Sequence, residues 1–124
     1  MSLLDSKKIE IGNAFIKQVD EKIFKANVIF WLFKNCQWQL IFGTALVDLV
    51  GTQQLYNKIY DIYASNEAYH NWFYSFDIYL TSLDDPLTKS INSLFKLNNF
   101  GRVIVQDTVI NGIVVEDAII IRST

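Results

Sequence analysis

The sequence predicts an α+β fold in which a mainly antiparallel sheet of about five strands carries three helices, in the order αββαβαββ. Three observations lead there. Val28 to Phe33 is apolar at every position, so a strand there is covered on both faces and runs inside a sheet. Asn111-Gly112 separates two β-branched runs, Arg102 to Ile110 and Ile113 to Ile121, the signature of a two-residue type I′ hairpin. Between these strand pairs, apolar residues recur at helical spacing in segments opened by capping residues.

The first helix spans Ser6 to Lys22, with Asp5 or Ser6 as N-cap and Ile9, Phe15, Ile16, Val19 and Ile23 near one stripe. Gly12 weakens it, since glycine is a poor helix former. After the central strand, Lys34-Asn-Cys-Gln37 is a polar break, and Trp38, Leu40 and Phe42 alternate with Gln39, Ile41 and Gly43 as the return strand of a hairpin. Thr44 to Gly51 leaves the sheet. From Thr52 to Tyr63, Leu55, Tyr56, Ile59, Tyr60, Ile62 and Tyr63 make a helix whose apolar arc is wide, so the tyrosine rings are expected at its margin with hydroxyls reaching water or a partner chain. Ser65 to Asn71 reads as polar loop, and Tyr74, Phe76, Ile78 and Leu80 as one face of a half-buried strand. Asp84-Asp85-Pro86 opens a last helix that carries Leu87, Ile91, Leu94 and Phe95. Truncating Leu94 to Ala is expected to cost ~2 to 5 kcal/mol as a core deletion.

The 124 residues suit one domain, 1 to 124, and 51% hydrophobic content excludes a disordered chain. Eleven Lys and Arg against thirteen Asp and Glu give a charge of −2, which argues against a nucleic-acid partner. The densest basic group, Lys7, Lys8, Lys17, Lys22 and Lys25, reads as a solvated helix face. A single cysteine, Cys36, fits a reducing compartment, with the cytoplasm as the expectation. Met1 to Lys8 has no apolar export segment, and the run Val28 to Phe33 is far short of the ~20 residues that span a bilayer, so no membrane association is expected.

The turn at Asn111-Gly112 places Asp107 across from Glu116, and Gln106 across from Asp117, at a Cβ separation of ~5 Å. Facing carboxylates repel. They need a nearby cation, a shared proton, a bound divalent metal, or a bulge that moves one away. Asp107 and Glu116 are therefore the candidate metal ligands, and with Asp48 and Asp117 they form the candidate catalytic set of a metal-dependent hydrolase or nuclease-like enzyme. That set works only if the fold brings Asp48 to the hairpin, because hard cations need several oxygen ligands. Glu116 and Asp117 are adjacent, so one points to each face and one is expected to be partly buried.

His70 has no second imidazole and Cys36 no His nearby in sequence, so neither is expected as a ligand or nucleophile. Glycine-rich phosphate loops, CxxC pairs, GxSxG elbows and HExxH motifs are missing from the sequence, and no cofactor is expected. The nuclease spelling of an acid with a lysine two positions on, wanted within a strand, occurs at Asp20-Glu-Lys22, at a helix end. Trp72, Phe73 and Phe100 read as core packing rather than base stacking.

Trp31-Leu-Phe33, Trp38-x-Leu40, Leu46-Val-Asp48 with Gly51 and Tyr56 behind it, Asp85-Pro-Leu87 with Leu94-Phe95, and Ile110 to Ala118 together resemble a small family of uncharacterised bacterial proteins. The resemblance covers roughly residues 28 to 121 and implies a single-domain unit without an assigned activity or catalytic residue. The family often has proline where this chain has Ala45. With abundant aromatic and β-branched surface and no reactive motif, the sequence points to a non-enzymatic protein-interaction module forming a homodimer, with another protein as a possible partner. The alternative is the metal-dependent hydrolase.

Overall fold

The structure is a computed structural model that describes residues 4–98 and 100–124. Helix α1 (Ser6–Lys22) starts at Asp5, whose carboxylate accepts the Lys7 N–H at 2.7 Å, and buries Ile9, Gly12, Phe15, Ile16 and Val19. Gly12 has a use that its helix propensity hides. A Cβ there would lie 2.6 Å from Cζ2 of the fully buried Trp31, so the missing side chain lets α1 settle on the sheet.

Strands β1 (Val28–Lys34) and β2 (Gln37–Gly43) form the expected hairpin, turned by Asn35 and Cys36 at φ 54° and 62°, a type I′ geometry reached without glycine. There follow α2 (Leu46–Val50), α3 (Thr52–Ala64), α4 (Glu67–Trp72), β3 (Ile78–Thr81), α5 (Pro86–Leu94), β4 (Val103–Ile110) and β5 (Ile113–Ser123). The sheet runs β3-β2-β1-β5-β4, antiparallel except for the parallel pair β2–β3. The fold class is the expected α+β one, although the sheet is mixed and the α-helices among the described residues number five, three of them longer than one or two turns.

As the apolar run implied, β1 is covered on both sides. Ile29 and Trp31 join Leu40, Phe42, Ile119 and Ile121 under α1, α3 and α4, while Val28, Phe30 and Leu32 join Ile41, Ile120 and Ile91 of α5. The polar loop from Ser65 gives way to α4, capped by Asn66, whose side chain accepts from Ala68 at 2.9 Å. Its buried Tyr69 meets Phe15 edge-on at 5.1 Å, a contact that a six-residue helix cannot announce by periodicity. The strand expected from Tyr74 starts only at Ile78, because Ser75–Asp77 makes one 3-10 turn in which the Asp77 carboxylate accepts the Tyr74 N–H at 3.2 Å. Leu94 also departs from expectation. It is 59% exposed, and Phe95 packs against the core at the end of α5 in its place, so the cost of a core truncation does not apply to Leu94. Among the described residues no helix is long and apolar enough to cross a membrane.

The second hairpin turns at Asn111 and Gly112, with φ 47° and 80°. A Cβ on Gly112 would meet nothing within 4 Å, so Gly112→Val probes backbone strain alone. That variant is expected to lose about 1 kcal/mol or more in chemical unfolding, since a β-branched residue tolerates positive φ poorly; an unchanged midpoint contradicts the turn chemistry.

Between Ile29 and Phe30 the β1–β5 ladder slips by one, with Ile29 opposite Arg122 and Phe30 opposite Ile120, which leaves Ile121 as the extra residue on β5. Ile121 fills the α1-side core and Arg122 reaches α1, donating to both carboxylate oxygens of Asp20 at 2.9 and 2.6 Å. This pair, a buried guanidinium on a half-buried carboxylate, ties the last strand to the first helix.

Candidate functional site

The four acidic candidates do not converge. Asp48 is exposed on α2 and accepts the Ser82 hydroxyl at 2.7 Å, which ties α2 to the segment ahead of α5. It follows the Gly43 end of β2, level with Val28 and Ser123, whereas Asp117 sits opposite Phe33. Five residues of β1 separate those levels, about 17 Å at the rise of an antiparallel strand. Among the described residues no group of three or more His, Cys, Asp and Glu side chains is placed to hold a metal ion.

Asp107 and Glu116 are both exposed, and the ladder passes from Gln106↔Asp117 to Thr108↔Val115 without pairing them. Asp107 takes φ 45°, a conformation aspartate tolerates better than most residues. The ladder is thus interrupted at the two acids. The break also shifts the side-chain alternation. Val105 and Ile110 pack in one core with Ala118 and Val115, yet they stand five and three residues apart, where strict alternation would put them on opposite faces. The conflict read in the sequence therefore serves to turn the ribbon over, so that its tip stays on the α5 side.

Asp117 is the buried member of the acidic neighbours, 3% exposed. His70 fastens α4 to α3, with Nε2 2.8 Å from the Tyr63 carbonyl and its ring 4.6 Å from the Tyr63 ring. Cys36 is exposed in the β1–β2 turn.

The surface that stands out is aromatic, at the β3 edge. Tyr56, Asn57 and Tyr60 of α3 face Phe76 and Tyr79 across a groove of about 420 Å³ floored by the buried Ile59 and Ile78. Tyr60, Phe76 and Tyr79 remain 55%, 62% and 41% exposed, and Tyr74, itself 60% exposed, stacks flat on Phe76 at 5.0 Å and 5°. Helical spacing in α3 places Tyr56 and Tyr60 one turn apart, which is why the tyrosine margin was legible. The Tyr74–Phe76 pair was not, because alternation assigned both residues to a strand.

The Tyr56 hydroxyl accepts the Leu80 N–H at 2.8 Å, and burial pushes this phenol above its usual 10.0 although that hydrogen bond pulls the other way. A side chain thus closes part of the outer edge of β3, so a partner here meets rings rather than an open strand edge. No family model, no curated protein and no solved structure matches this chain.

Proposed function

We propose that the protein is a non-enzymatic interaction module that forms a homodimer through the aromatic groove at the β3 edge. The observation that carries this reading is the stacked, exposed Tyr74–Phe76 pair, whose Phe76 ring forms one wall of the groove between Tyr60 and Tyr79. A knob and a groove on one face are self-complementary. A two-fold axis close to Phe76 lets each copy's pair enter the other's groove, which is the geometry of an isologous dimer. Tyrosines and phenylalanines are the side chains that anchor protein interfaces, since they bury much area at low entropic cost. A standard interface takes about 800 Å² from each partner, a modest share of the 6769 Å² accessible here. The reading places the module in the cytoplasm, where an exposed Cys36 stays reduced.

Sedimentation velocity between 1 and 100 µM, on the order of ordinary dimer affinities, is expected to show a dimer that dissociates on dilution. Phe76→Ser combined with Tyr60→Ser is expected to yield a monomer at every concentration, with the melting midpoint that the wild type has at dilutions where it is itself monomeric, because both side chains are exposed. A wild-type monomer throughout the range, or a dimer that survives the double substitution, overturns the reading.

A further inference from the structure

We propose that Asn111 is a site of spontaneous deamidation, held in check by the Ser90 hydroxyl, and that its product loosens the tip of the β4–β5 hairpin from α5. Asn111 is the one asparagine of the sequence followed by glycine. No side chain on the next residue obstructs the approach of the Gly112 nitrogen to the Asn111 carboxamide, and even a Cβ on Gly112 would meet nothing within 4 Å. Both residues are exposed at the turn. Water is the only co-reactant. The Gly112 nitrogen adds to Cγ of Asn111, the Cγ–Nδ2 bond breaks, and ammonia leaves with the proton that the Gly112 nitrogen gives up. Water then opens the cyclic imide at either carbonyl. Cleavage between the nitrogen and Cγ gives aspartate; cleavage between the nitrogen and the main-chain carbonyl gives isoaspartate, whose main chain is one carbon longer.

The fold restrains the first step. Asn111 Nδ2 donates to Ser90 Oγ at 2.9 Å, and the Ser90 hydroxyl donates onward to the Pro86 carbonyl at 2.8 Å, so the carboxamide is tethered to α5 instead of swinging freely toward the next nitrogen. Ser90 is 7% exposed, which keeps water from replacing it as the partner. The same hydrogen bond latches the tip. Beside it Ile110, 4% exposed, packs in the core that holds Ile91 of α5. Conversion removes the donor that reaches Ser90, because a carboxylate only accepts. The added carbon of isoaspartate also does not fit a two-residue turn that sets Ile110 opposite Ile113.

The test ages the protein in mildly alkaline buffer at body temperature and follows it by peptide mapping, which separates asparagine, aspartate and isoaspartate at position 111. In the folded wild type Asn111 is expected to convert ahead of every other asparagine, yet more slowly than in the same chain unfolded in urea. Ser90→Ala is expected to convert about fivefold faster when folded, the factor of one ordinary hydrogen bond, and at the wild-type rate in urea. An intact Asn111 after another asparagine has converted, or equal folded-state rates for wild type and Ser90→Ala, overturns the proposal. A gain in Ser90→Ala that persists in urea also overturns it, because the tether exists only in the fold. The consequence is read on aged wild type without any variant. Chains carrying isoaspartate are expected to exchange the Ile110 and Ile113 amide hydrogens faster than unmodified chains, with those of Phe30 and Trp31 in the central strand unchanged. Equal exchange in the two forms overturns the loosening. The hairpin and the aromatic groove lie at opposite edges of the sheet, so these outcomes do not depend on the dimer.

Discussion

Asp20→Ala is expected to lower the unfolding free energy by about 3 to 5 kcal/mol, the range for removing one partner of a buried ion pair. Arg122 is 1% exposed, and its guanidinium donates to Asp20 at 2.9 and 2.6 Å and to the Ala26 carbonyl at 3.2 Å, while Nε has no partner. Taking Asp20 away strands a cation that cannot shed its proton, and the β5 slip at Ile121 holds that cation where it is. Arg122→Met, which removes the charge itself and keeps an apolar stem, is expected to cost less than Asp20→Ala. Adding it to Asp20→Ala is expected to restore part of the loss. Urea unfolding of the two single variants and the double variant at pH 7 measures all three. If Arg122→Met proved the costlier single change, the stranded-charge account would fail. The exposed Lys7–Glu10 pair at 3.8 Å makes a useful contrast, since solvent screens it and its removal is expected to change little.

The Asp20–Arg122 pair also marks where the sequence stops being readable. Its partners are 102 positions apart, and nothing in either neighbourhood points to the other. Features that depend on a few adjacent residues were legible: the two-sided apolar run of β1, the Asp5 cap of α1, Asp85-Pro86 ahead of α5, and the Asn111-Gly112 turn. The helix α4 and the 3-10 turn before β3 were not, because each is too short for a period to show and each is fixed by contacts made elsewhere, Tyr69 on Phe15 and Asp77 on Tyr74. Leu94 misled because helical spacing gives direction around an axis but not where the chain leaves it.

The candidate site behaved in the same way. Facing Asp107 and Glu116 followed from hairpin register alone; the structure keeps the flanking pairs Gln106↔Asp117 and Thr108↔Val115 but does not pair the two acids between them. The left-handed Asp107 and the shifted alternation of both strands could not be read there, because they go with the core that the ribbon tip joins. The neighbourhood of Asp117 and Trp38 needed the sheet order, since both are registered to Phe33 from opposite sides of β1.

Trp31→Ala is expected to be comparably severe, about 3 to 5 kcal/mol, as the deletion of a large fully buried aromatic from a central strand. The indole lies against Gly12 of α1, meets Phe73 edge-on at 6.3 Å, and has the Lys8 ammonium 5.8 Å from its ring. Burial pushes that ammonium below its ordinary 10.5, and the Asp77 carboxylate pulls it back up. Because Trp31 Nε1 has no hydrogen-bond partner, Trp31→Phe keeps most of the ring contact while removing an unsatisfied donor, and it is expected to cost well under the alanine value. Gly12 supplies the sharper test of why the ring is there. Alanine at that position gains about 1 kcal/mol of helix propensity, but its Cβ would stand 2.6 Å from a ring that has no room to move. Gly12→Ala is therefore expected to destabilise the wild type and to stabilise Trp31→Ala, a reversal of sign that a double-mutant cycle reads directly. If alanine stabilised both backgrounds equally, α1 would not be resting on the indole, and the account of how the first helix finds its place on the sheet would fail with it.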